Sequence, residues 1–157
     1  MKVTLIWIGK TVEPWLQAGI DEYTGRLKHY LPFEIKEIAS VKNAKNLDES
    51  QLKQKEGELI LSALQPGDHL VLLDENGKQP SSREFSTIID KHQHGMVKRL
   101  VFVIGGAYGF SDAVYAAANS KMSLSRMTFS HQMVRVIFTE QLYRAMTILK
   151  GEPYHHD

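Results

Sequence analysis

Apolar residues fall along this chain in two rhythms. Three runs, Val3-Thr4-Leu5-Ile6-Trp7-Ile8, His69-Leu70-Val71-Leu72-Leu73-Asp74 and Leu100-Val101-Phe102-Val103-Ile104, are nearly unbroken, which predicts strands buried on both faces. Between them apolar residues recur every three or four positions. Leu16, Ile20, Tyr23, Leu27 and Leu31 make one helical stripe, with Thr11 as the expected cap and Pro32 as the stop. Leu52, Leu59, Ile60 and Leu64 make a second, opened by Asp48 and Gln51 at capping-box spacing and ended at Pro66-Gly67. Ser81 and Glu84 repeat the box ahead of Phe85, Ile88 and Ile89. Ser130 opens a last helix whose Val134, Ile137, Phe138, Leu142, Ala145 and Leu149 share one stripe.

The weaker signals fill the gaps. Phe33, Ile35 and Ile38 alternate with charged neighbours, as an edge strand does. Lys42 to Ser50 is a loop or helix start, Glu75-Asn76-Gly77 a turn, Asp112 to Asn119 a short Ala-rich helix and Lys121 to Leu124 a final strand. Strands alternating with helices give an α/β fold with a mostly parallel sheet flanked by helices. No repeat or linker divides the 157 residues, so residues 1–157 are expected to form a single domain.

Composition narrows the classes of function. A net charge of +1 gives no global basic field, so any RNA contact must come from a local patch. Cysteine is absent, which excludes disulfides, thiolate nucleophiles and zinc-cysteine sites and fits a reducing cytoplasm. No apolar run approaches the roughly 20 residues that cross a bilayer, and the first strand is too short for a signal peptide. A soluble cytoplasmic protein is the expectation.

The chemistry gathers in the last third. Ile104-Gly105-Gly106-Ala107-Tyr108-Gly109 is a glycine turn after a buried strand, a place where a ligand can approach backbone. It departs from G-x-G-x-x-G, no P-loop lysine follows, and Leu124, Ser125 and Arg126 stand where a dinucleotide site needs an acid. A ligand cradle and a tight structural turn both remain open. On the last helix, His131 and Arg135 share a face near an end suited to anions, as do Glu140 and Arg144 further along. An isolated exposed pair of the latter kind contributes only about 0.3–0.5 kcal/mol. Lys150-Gly151-Glu152-Pro153 stops the helix and turns Tyr154, His155 and His156 in a defined direction, against the alternative of a disordered tail. His92 and His94 lack carboxylate company, so no metal site is expected.

Four segments in order, Leu73 to Ser82, Ile104 to Gly109, Leu124 to His131 and Pro153-Tyr154-His155, resemble the ribosomal RNA large-subunit methyltransferase H family of the SPOUT class. The likeness spans essentially the whole chain. It implies a C-terminal trefoil knot, which general rules of topology would not suggest, and a homodimer. It further implies S-adenosylmethionine held by Leu73, Gly105, Leu124, Ser125, Arg126, Met127, Thr128 and Phe129. The reaction it implies is methylation of N3 of a pseudouridine in large-subunit (23S) rRNA on the assembled ribosome. Arg144 is then expected to stabilise the imide anion, Glu140 to orient Arg144, and Tyr154 and His155 to hold the base and handle its proton, while His131 and Arg135 serve the loop or the RNA backbone. A SPOUT enzyme acting on tRNA, a ribosome-binding module without catalysis and a nicotinamide-dependent dehydrogenase are the competing readings.

Overall fold

The three unbroken apolar runs lie side by side in one sheet. In the computed structural model, which describes residues 1–157, the strands are β1 (Lys2–Ile8), β2 (Phe33–Ile38), β3 (His69–Lys78), β4 (Arg99–Ile104) and β5 (Ser120–Met122). The helices are α1 (Pro14–Leu27), α2 (Glu49–Ser62), α3 (Ser82–His94), α4 (Asp112–Ala117) and α5 (His131–Lys150). All strand pairs are parallel, in the order β2-β1-β4-β3-β5. β4 is central, which is why its residues from Leu100 to Ile104 are all buried. β2 is an edge strand, and its polar positions are accordingly half-buried or exposed.

Residues alternate across the sheet and build two cores. Val3, Leu5, Trp7, Leu100, Phe102 and Ile104 face α1, α3 and α5, while Ile6, Leu70, Leu72, Val101 and Val103 face α2 and α4. Phe102 packs against Phe138 of α5 with ring centroids 4.7 Å apart, and Phe85 of α3 closes the group edge-on. Both predicted capping boxes form, at Asp48 with Gln51 and at Ser81 with Glu84.

Three expectations are corrected. Thr11 does not cap α1; the helix begins at Pro14 behind Glu13, with no side-chain cap, because proline's fixed φ suits a first helical turn. Instead the Thr11 hydroxyl accepts from Arg135 Nη1 at 2.9 Å. The turn expected at residues 75–77 is a continuation of β3, which runs on to Lys78 with a shifted register against Met122. Gly77 allows this, since a Cβ there would lie 2.5 Å from the Met122 backbone nitrogen. Finally, Arg135 is 1% exposed and belongs to the buried side of α5.

Candidate functional site

The carboxyl ends of β3 and β4, the glycine turn and the loop before α5 surround a cleft of ≈ 610 Å³. Open parallel α/β sheets place ligands outside the carboxyl ends of their strands. The floor is the turn Gly105 to Gly109, closed by an antiparallel bridge between Gly106 and Gly109, with Gly109 at φ +81°. A Cβ on Gly105 would come 3.1 Å from the Phe110 ring, so this glycine lets the aromatic ring support the turn from behind.

The opposite wall is tied together by its own serines. Ser123 Oγ donates to the Ser125 carbonyl at 2.9 Å, and Ser125 Oγ accepts from the Met127 amide at 2.9 Å. Ser130 Oγ accepts from the Met133 amide at 3.1 Å and starts α5. At the rim, the Tyr115 hydroxyl donates to Asp74, whose other oxygen accepts from the Asn76 amide at 2.8 Å. Burial and Asp74 together push the Tyr115 phenol up to about 12, so it stays a donor.

Of the eight residues expected to hold a cofactor, Leu73, Gly105, Leu124, Ser125, Met127, Thr128 and Phe129 line this cleft. Arg126 is exposed and is not among the lining residues. The lining also includes Tyr115, Met122, Ser123 and Val134, which sequence reasoning passed over. Only Tyr115 carried a signal, as the one aromatic residue in an Ala-rich helix. No lysine or arginine lines the cleft, whereas Asp74 and Glu75 do. Half of the lining is hydrophobic, 11 of 22 residues. Such a site suits a ligand with an apolar ring and a positive charge and is poorly made for a diphosphate.

The four expected catalytic residues form a second cluster. Glu140 Oε1 accepts from Arg144 Nη2 at 2.5 Å and from the Tyr154 hydroxyl at 3.0 Å. The Arg144 guanidinium lies 4.7 Å from the Tyr154 ring centroid, and its Nη1 is 3.3 Å from His155 Nδ1. His155 Nε2 is 3.1 Å from Asp157, which also forms a two-bond pair with Arg83 of α3 at 2.7 Å. Glu140 raises the Arg144 pKa further, so the guanidinium is charged at any working pH. Burial, then contacts to Tyr23 and Glu140, raise that of Tyr154. The tail is thereby ordered, and the helix stop at Gly151, φ +66°, is what turns it back.

None of these four residues lines the cleft. At about 1.5 Å per residue, the stretch of α5 from Val134 in the cleft wall to Arg144 covers roughly 15 Å. Within one chain the cleft and the polar cluster are separate places.

Nor do His131 and Arg135 act as a pair. His131 lines the cleft, its pKa lowered by burial and by Arg135. Arg135 points the other way, onto the Trp7 ring at 4.7 Å and to the Ile8 carbonyl at 3.1 Å. It serves the β1–α1 loop and is not placed to meet an RNA backbone. His92 packs against His69 with ring centroids 4.5 Å apart, and His94 pairs with Asp90.

Comparison with known proteins extends these observations. The family described as Predicted SPOUT methyltransferase matches residues 1–155. A protein of Parabacteroides distasonis named Ribosomal RNA large subunit methyltransferase H is 63% identical over 157 residues, 100% of both chains. A protein of the same name from Christiangramia forsetii is 62% identical over 156 residues, 99% of each chain. The crystal structure of a probable methyltransferase from Bordetella pertussis Tohama I aligns with a TM-score of 0.58 at 12% identity, over 92% of this chain and 94% of that one, a likeness of fold. Kinship along the full length and a shared fold point the same way, and the chain belongs to the SPOUT methyltransferase family.

Proposed function

We propose that this protein transfers a methyl group from S-adenosylmethionine to N3 of a pseudouridine in large-subunit rRNA, on the assembled ribosome and in the cytoplasm. The observation that carries the reading is the cleft itself. It is half apolar, has no lysine or arginine in its lining and is bordered by Asp74 and Glu75, on a chain whose full-length relatives are named for methylation of large-subunit rRNA. The reading takes residues 1–157 as one catalytic domain and includes the C-terminal trefoil knot that the family implies.

S-adenosylmethionine, when bound, supplies a methyl group activated by a sulfonium centre. The chain has to hold it, orient it and exclude water. Leu73, Leu124, Met127 and Phe129 provide apolar surface for an adenine, and the turn at Gly105 and Gly106 brings backbone close. The acceptor nitrogen is a weak acid that must lose a proton. Arg144, held by Glu140, offers a fixed positive charge that lowers the cost of the resulting anion. The Tyr154 ring presents a face on which a base can stack, and His155 has one ring nitrogen toward Arg144 and the other toward Asp157.

The distance between cleft and cluster supports a homodimer in which the tail of one protomer completes the cleft of its partner. That arrangement gives a chain of this size two RNA-contacting surfaces at each site.

The test is transfer of labelled methyl from S-adenosylmethionine to assembled ribosomes, isolated large subunits and bulk tRNA, with ribosomes taken from cells lacking the enzyme. Label in the rRNA of assembled ribosomes alone supports the reading. Label in tRNA moves the substrate, and no label with intact donor binding overturns the proposed acceptor.

A further inference from the structure

Glu56 sits on α2 with its carboxylate against the back of the glycine turn. A Cβ on Gly106 would lie 2.4 Å from Glu56 Oε2 and 3.1 Å from Cδ, so this glycine admits the carboxylate. One residue on, Gly57 lets α2 close against Ser111, where a Cβ would meet Oγ at 2.3 Å. The helix is thus seated on both ends of the segment from Gly106 to Ser111, of which Gly106 to Phe110 line the cleft.

This carboxylate has no protein partner, neither a hydrogen bond nor an ion pair. Glu56 is half-buried, and burial alone pushes its pKa up, with no hydrogen bond or cation opposing the shift. The other acids near the cleft are differently placed. Asp74 accepts from Tyr115 and Asn76, and Glu75 is exposed.

We propose that Glu56 is a specificity-determining residue whose negative charge, acting through Gly106, favours a cationic methyl donor in the cleft over the neutral thioether product. The inference rests on the methyltransferase reading above. Transfer breaks the methyl C–S bond and leaves its electron pair on sulfur, so the positive charge disappears while the shape barely changes. The acceptor nitrogen gains the methyl and gives up a proton. A carboxylate behind the floor attracts the donor and has no such hold on the spent product, which promotes exchange of one for the other.

The experiment is calorimetric titration of the wild-type protein and Glu56→Gln with S-adenosylmethionine and, separately, S-adenosylhomocysteine. Glu56→Gln is expected to lose roughly tenfold in affinity for S-adenosylmethionine and to bind S-adenosylhomocysteine as the wild type does. Glu56→Asp keeps the charge and is expected to keep the preference, which serves as the test if the glutamine variant does not fold. Equal weakening toward both ligands, or no change toward either, overturns the role of Glu56 while leaving the methyltransferase reading intact. Failure of the wild type to bind either ligand overturns both.

Discussion

The Tyr154 hydroxyl donates to Glu140 Oε1 at 3.0 Å, and that contact ties the chain terminus to the middle of α5. The same oxygen receives Arg144 at 2.5 Å, so one carboxylate oxygen organises both a cation and an aromatic ring. Tyr143 adds an edge-on contact to the Tyr154 ring at 4.7 Å. A segment that sequence composition allows to be disordered is held by α5 from one side and, through Asp157, by α3 from the other.

Arg144→Ala is expected to lower turnover about 10²-fold, the usual loss on removing one preorganised charge-stabilising group. Affinity for S-adenosylmethionine is expected to be unchanged, because Arg144 does not line the cleft. Single-turnover methylation alongside calorimetric binding checks both halves. Glu140→Gln should fall between wild type and Arg144→Ala, since it keeps a hydrogen-bond acceptor for Arg144 and Tyr154 and loses the charge.

Acidification is expected to destabilise the fold through two histidines. Burial and then His92 lower the pKa of His69, and burial and then Arg135 lower that of His131. The folded state therefore binds fewer of these protons than the unfolded chain does. Stability starts to fall as pH drops through the ordinary histidine value near about 6.5 and levels off below the folded-state values. Glu34, held low first by Lys2, gives way only in more acid solution. Urea midpoints between about pH 7.5 and about pH 5 should decline for the wild type, and His69→Gln should flatten the slope.

Much of the local structure was legible, because its signals lie within a few residues of one another. The boxes at Asp48 and Ser81 and the cap at Ser130 satisfy their own helix starts, and each forms as expected. Thr11 was misread because an equally good local cue, Pro14, competes with it, and the hydroxyl is claimed by Arg135 from 124 residues away. Glu75-Asn76-Gly77 has turn chemistry, yet the pairing of Lys78 with Met122 and a bond from the Ser123 amide to the Lys78 carbonyl at 2.8 Å draw it into a strand. Most of the expected cofactor residues meet in one cleft because glycine turns and strand ends mark themselves. The separation of that cleft from the tail could not be read, since it depends on where along α5 each half attaches.

Gly77→Ala is expected to be among the most damaging small substitutions. Its Cβ would press on backbone atoms of Lys121 and Met122 at 2.5–2.7 Å, which cannot rotate away. A loss of about 2–4 kcal/mol follows from such forced strain in a packed strand. Because the displaced strand pair carries Leu73 and Ser123, donor affinity should fall as well. Thermal melting with and without S-adenosylmethionine measures both effects.

Arg135 offers a contrasting case of a charge kept for structure. Buried on Trp7, it gives two hydrogen bonds to neutral partners, Thr11 and Ile8, and its Nε has none. Arg135→Ala removes the stack and the hydrogen bonds to Thr11 and the Ile8 carbonyl, an expected loss of about 3 kcal/mol. Arg135→Met fills similar space without the desolvation penalty and should cost less. Urea unfolding of the two variants gives the order.

The proposed site shared between two protomers makes a prediction that a single-chain site does not. Gly106→Val places a branched side chain where Glu56 and the cleft floor already meet, and so should abolish donor binding in its own protomer. Arg144→Ala leaves the cleft intact and disables the polar cluster. Neither homodimer should turn over at an appreciable rate. In a heterodimer, the intact cleft of the Arg144→Ala chain can be completed only by the intact tail of the Gly106→Val chain. If sites form across the dimer, co-refolding equal amounts should restore about a quarter of wild-type activity, since half the dimers carry one working site of two. If each chain completes its own site, the mixture stays inactive, because every protomer lacks one half. Differential tagging and purification of the heterodimer before assay removes the dependence on mixing. Recovery of turnover there would mean that the roughly 15 Å between Val134 and Arg144 is spanned by association of two chains and not by movement of one.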